Sequence, residues 1–104
     1  MIDGNFAADM ITLTGPLKIW TNSEGSVHFM NLPEEMSGEV RAHALAYRRG
    51  FGSVKVEVTL DGETWRTSLF PVKEGGYFLP VKVAVCRKVG IVAGDEVTLD
   101  LELL

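Results

Sequence analysis

The sequence predicts a mainly β protein, a small barrel of about six strands capped by two short helices. Three observations carry that reading. Residues 52–71 read as a β-hairpin, further short stretches with a period of two recur between tight turns, and only two stretches read as helix, each introduced by a Leu-Pro pair, Leu32-Pro33 and Leu79-Pro80. Short strands of this kind gain stability by rolling into a barrel or sandwich that removes or protects sheet edges.

The hairpin sets the frame. Val54, Val56, Val58 and Leu60 alternate with Lys55, Glu57 and Thr59, which puts one set on a buried face and the other in solvent. Asp61-Gly62 suits a two-residue type I′ turn, in which both central residues need positive φ. A turn of that length sets Val58 opposite Trp65, Val54 opposite Leu69, and Glu57 opposite Arg66 as an outward ion pair.

Taken from the start, residues 6–13 read as the first strand, with Ile11 and Leu13 alternating with Thr12 and Thr14 before Gly15-Pro16 bends or bulges it and Leu17 and Ile19 resume. Asn22-Ser23-Glu24-Gly25 is a loop. Residues 26–32 form the second strand, with Val27, Phe29 and Asn31 on one face and His28, Met30 and Leu32 on the other. Pro33 fits the first position of a helix, where its missing N–H costs nothing. Glu34 and Glu35 favour the positive end of that helix, Met36, Val40, Ala44 and Tyr47 form its apolar stripe, and Glu39 and Arg41 face away. Arg48 and Arg49 suit its negative end, and Gly50 terminates it.

After the hairpin, residues 72–76 form a turn and residues 77–79 a short strand. Pro80 reads as the start of a second helix, in which Val81, Val85 and Val89 share a face and Gly90-Ile91 supplies a left-handed cap. The valines of this segment would favour a strand on propensity alone. Residues 96–104 close the chain as a strand, with Val97, Leu99, Leu101 and Leu103 inward.

The chain has 104 residues, enough for a single domain (1–104) with a core that needs no disulfide or metal. A net charge of −4 exerts no global pull on nucleic acid or an anionic membrane. No apolar run reaches the roughly 18 residues of a membrane helix. The start of the chain lacks a secretory pattern, and one cysteine, Cys86, fits a reducing compartment, so the expected location is the cytoplasm.

Two resemblances follow from longer runs. Gly50-Phe51-Gly52-Ser53-Val54-Lys55-Val56-Glu57-Val58, Trp65-Arg66-Thr67-Ser68-Leu69-Phe70-Pro71, Gly76-Tyr77 and Leu79-Pro80-Val81-Lys82 resemble an uncharacterised family of small bacterial barrels. That family is found alone or beside the bacteriocin-protection segment of YdeI/OmpD-associated proteins. The likeness runs from Val27 to the C-terminus and implies a double-split β-barrel with no established activity. Where the family often has Trp-His-Phe, this chain has Val27-His28-Phe29, and where it often has Val-Arg this chain has Val85-Cys86. The last third is also similar to AbrB, MazE and SpoVT-type transcription factors, through Leu79-Pro80-Val81-Lys82, Arg87-Lys88-Val89-Gly90-Ile91 and Gly94-Asp95-Glu96-Val97. That likeness implies an architecture shared with dimeric DNA-binding proteins.

No set of residues with catalytic spacing appears, and no catalytic residue is assigned. His28, His43 and Cys86 lack the spacing of metal ligands, so no metal or other cofactor is expected. Cys86 lies in an apolar segment and reads as a small hydrophobe. The candidate ligand-binding residues are His28, facing a barrel cavity; Arg48, Arg49, Lys82 and Arg87, an anion patch if the helix ends converge; and Phe70, whose parity opposes that of Leu69 and places it at a rim or interface. Trp65, Tyr77 and Phe78 are weighed as pocket lining and assigned mainly to the core. The resulting expectation is a monomeric, non-enzymatic binding module for an unknown small ligand or protein. The rivals are an AbrB-like dimer on DNA and a small barrel enzyme using His28.

Overall fold

The computed structural model describes residues 10–47 and 52–104. In chain order these form β1 (Met10–Pro16), β2 (Lys18–Asn22), β3 (Gly25–Asn31), α1 (Glu34–Tyr47), β4 (Val54–Leu60), β5 (Glu63–Pro71), β6 (Tyr77–Val81), α2 (Val83–Val89) and β7 (Glu96–Leu103). The seven strands make one antiparallel sheet in the order β1-β7-β4-β5-β6-β3-β2, rolled into a half-barrel. The mainly β class and the two helices agree with the sequence.

The strand count does not. The first expected strand is two strands, and they lie at opposite ends of the sheet. Proline supplies no N–H to a ladder, and β1 stops at Pro16, opposite Glu96. Leu17 then leaves the sheet's edge, although its N–H bonds to the Asp95 carbonyl at 2.9 Å and its carbonyl accepts from Gly94 N–H at 2.8 Å. β2 goes on to pair with β3 alone. Leu17 is buried at this joint, and residues 6–9 of the expected first strand lie outside the described residues.

The central hairpin has the expected register, with Val58 opposite Trp65, Val54 opposite Leu69 and Glu57 opposite Arg66. Asp61 and Gly62 adopt φ of 51° and 82°, as a type I′ turn requires. β5 then changes partners: residues up to Leu69 pair with β4, whereas Phe70 and Pro71 pair with β6. This handover turns the sheet into two halves around β5.

The helices are shifted relative to the sequence reading. Pro33 precedes α1, and its carbonyl accepts from the Ser37 N–H. Val40 is buried and Met36 and Ala44 pack against the core, while Glu39 and Arg41 are exposed. Pro80 is not a helix start. It lies in β6 opposite Phe29, because β6 continues its pairing with β3 through Val81 opposite His28. Lys82 becomes the cap residue of α2 with an extended backbone, and Gly90 ends the helix at φ 77° with its N–H on the Cys86 carbonyl. Inward side chains of β1, β3, β4, β6 and β7, among them Leu13, Met30, Val56, Leu79 and Leu101, form one core with Leu17, Leu69, Val40 and Cys86.

Candidate functional site

Antiparallel partners directly opposite each other share a face of the sheet. Met30 and Leu79 are opposite and buried, so the residues of opposite parity point outward. On β2, β3, β6 and the end of β5 these include Trp20, Val27, Phe29, Phe78, Pro80 and Phe70, with Lys18, Asn22 and Asn31 as the polar members. Most are apolar. The sequence therefore builds a second apolar face on a sheet whose first face already holds the core.

That outer face carries a groove of about 350 Å³, lined by Trp20, Val27, Phe29, Asn31, Val72 and Phe78. Phe78 is its centre. Its ring stands edge-on to Phe29 at 6.0 Å and 76°, and lies beside Phe70 at 5.7 Å and 33°. Edge and offset contacts at these separations are the favoured ring geometries. Trp20 remains 57 % exposed, Val27 46 % and Phe70 40 %. Every residue of β2 is exposed, so this strand and the start of β3 stand out as a two-stranded ribbon.

A second cleft, of about 520 Å³, lies between the start of α1 and the turn before β6, lined by Leu32, Glu34, Ser37, Arg41, Glu74, Gly75 and Gly76. It is polar, and Arg41 donates to the Gly75 carbonyl across it. Ser37, one of the residues lining the cleft, has its hydroxyl buried without a hydrogen-bond partner among the described residues.

The sequence-predicted residues scatter. Phe70 stands at the rim of the aromatic face. His28 is half-buried on the opposite face of β3, between Ile19 and Val81 in the ladder. Lys82 precedes α2 and Arg87 lies in its last turn, both exposed. Neighbouring Lys88 is engaged with Glu63 at 3.2 Å. Arg48 and Arg49 lie outside the described residues, so the proposed convergence of helix ends does too. His43 meets the Leu104 carbonyl at 3.1 Å. Cys86 is buried, and desolvation pushes its thiol up from its ordinary value of 9.0. Among the described residues no three His, Cys, Asp or Glu come together as a metal site, and no helix is long and apolar enough to cross a membrane.

The sequence weighs Phe78 as pocket lining and gives most of its aromatic group to the core, whereas in the structure Phe78 is half-buried and alternates with buried Tyr77 and Leu79. The available signal lies in residues 27–32, where Val27 and Phe29 on one parity and Met30 and Leu32 on the other outnumber Asn31 and His28, the mark of a strand with apolar side chains on both faces.

The fold and groove together define a mainly β half-barrel with an aromatic outer face. The chain belongs to the family described as Domain of unknown function (DUF1905), which it matches over residues 14–101. No curated protein matches it.

Proposed function

We propose that the protein is a non-enzymatic interaction module whose working surface is the outer face of β2, β3 and β6, and whose ligand is a protein that places apolar side chains in the groove. The observation that supports this is the groove: four exposed or half-buried aromatic rings, Trp20, Phe29, Phe70 and Phe78, on the face of the sheet that the core does not use. Contiguous exposed apolar surface is characteristic of interaction sites, and aromatic residues carry much of the binding energy at such surfaces. Phe70 belongs to this reading as a rim contact. The neutral, apolar lining also distinguishes it from a phosphate-tracking surface, which needs a cluster of Lys and Arg.

The test is a selection of random displayed peptides against the full chain. The expected binders are rich in aromatic and aliphatic residues, lose at least tenfold in affinity against Trp20→Ala and Val27→Ser, and retain it against Lys82→Ala. Binders that ignore the groove variants and depend on Lys82 or His28 would overturn the assignment.

A further inference from the structure

We propose that a second copy of this chain pairs with the free edge of β2, antiparallel, with Trp20 on the two-fold axis. The proposal rests on the reading of this face as a protein-binding surface and names one occupant of its edge. Asn22 and Gly25 close a two-residue turn between β2 and β3, and the residues that close such a turn exchange both of their N–H···O=C bonds. An antiparallel ladder alternates bonded and non-bonded pairs, so Trp20 with Val27 and Lys18 with Phe29 are bonded pairs as well. The N–H and C=O groups of Ile19 and Thr21 therefore point away from β3. Among the described residues no strand runs along that side of β2.

Open edge groups specify a partner only when a register satisfies them. On one side of this pair of residues, the main chain of Leu17 is already committed to Asp95 and Gly94. On the other side lies the turn at Ser23. The edge thus offers the donors and acceptors of Ile19 and Thr21. A two-fold axis through Trp20 sets Ile19 opposite Thr21 of the second copy, and Thr21 opposite its Ile19, so every open group in both copies gains a partner. Sliding the register by two residues in either direction brings Leu17 or Ser23 into the ladder and leaves groups unmatched.

The side chains agree with that register. Trp20 meets its counterpart in a non-bonded pair, the type in which facing side chains come closest. Lys18 opposes Asn22 rather than a second Lys18, so no like charges face each other. Ile19, 45 % exposed on the other face, is covered by Thr21 of the second copy. The two grooves then join end to end through the paired indoles into one apolar trough.

Sedimentation equilibrium on the full chain tests this. The expected mass rises with concentration from 11.4 kDa toward twice that value. Thr21→Pro removes an edge N–H and leaves the main-chain bonds to β3 in place, giving up only the exposed hydroxyl contact of Thr21 with Ser26 at 3.0 Å; an edge position of this kind tolerates proline, and the variant is expected to keep the monomer mass and an unchanged far-UV circular dichroism spectrum. Trp20→Lys, which sets two ammonium groups across the axis, gives the same loss by a route that leaves the main chain alone. A wild-type chain that stays at monomer mass from about 1 μM to about 1 mM, or a dimer that survives both variants, overturns the proposal. The register is read separately: with diamide, Trp20→Cys forms a disulfide-linked dimer and Lys18→Cys does not, and the reverse pattern overturns it. Peptides selected on the groove still bind Thr21→Pro if the groove reading holds and the dimer fails, so the two outcomes are separable.

Discussion

Two residues show how single side chains hold this sheet. Gly62 sits at φ 82° in the central turn, and a Cβ built there would meet nothing within 4 Å. Any penalty for Gly62→Ala is therefore conformational, and the left-handed region costs an L-residue roughly 1–2 kcal/mol. The expected result is that loss in urea unfolding, with the slope unchanged. Cys86 acts through desolvation. Its thiol is buried and titrates above its ordinary 9.0, so the folded state retains a proton that the unfolded chain releases. The stabilising difference is fully present below about pH 9 and is lost as pH rises through the folded value. Native protein should accordingly react slowly with a disulfide reagent at pH 8, at least tenfold more slowly than unfolded chain, and as pH rises above about 9 its unfolding midpoint should fall more in wild type than in Cys86→Ala. Equal reaction rates in native protein and urea would place the thiol at the surface.

At the scale of elements, the joint between β1 and β2 carries more than a loop usually does. Leu17 is buried and holds main-chain bonds to the turn before β7, so it ties the two ends of the sheet order together. Leu17→Ala should cost about 2–5 kcal/mol, the range for truncating a buried leucine, whereas Ile19→Ala on exposed β2 should change monomer stability by less than about 1 kcal/mol. Thermal or urea unfolding at low protein concentration distinguishes them. The same contrast explains what could be read in advance. The β4–β5 register, the alternation of β7 and the Gly90 cap are local, set by residues within a few positions of one another, and the sequence states them directly. The split at Pro16 and the fate of Pro80 depend on distant partners: Asp95 takes the Leu17 amide, and β3 holds β6 as a strand through Val81. Propensity near Pro80 points to a helix, and the ladder with β3 outweighs it. Phe70 was legible as an outlier by parity alone, but Phe78 was not, because which face counts as outer follows from where the core of β3 lies.

For the whole molecule, the sheet order makes a sharp statement about amide exchange. Successive residues of β2 alternate between amides bonded to β3 and amides facing an open edge. Lys18, Trp20 and Asn22 belong to the first set and Ile19 and Thr21 to the second. In dilute protein, Ile19 and Thr21 amides should exchange at close to unprotected rates, while their bonded neighbours exchange more slowly, limited by opening of the ribbon. If a second copy adds to the edge, protection at Ile19 and Thr21 rises with concentration and tracks the sedimentation mass, since association stabilises only the state that holds those bonds. The amides of β7 and β4, interior to the sheet, should not respond to concentration in this way beyond any global stabilisation. Selective, concentration-dependent protection at positions 19 and 21, abolished at both by Trp20→Lys, would tie the aromatic face and the open edge into one surface. An alternation along β2 that stays the same at all concentrations, with Ile19 and Thr21 unprotected throughout, would mean that its outer edge is never paired, and that the aromatic groove works on a monomer.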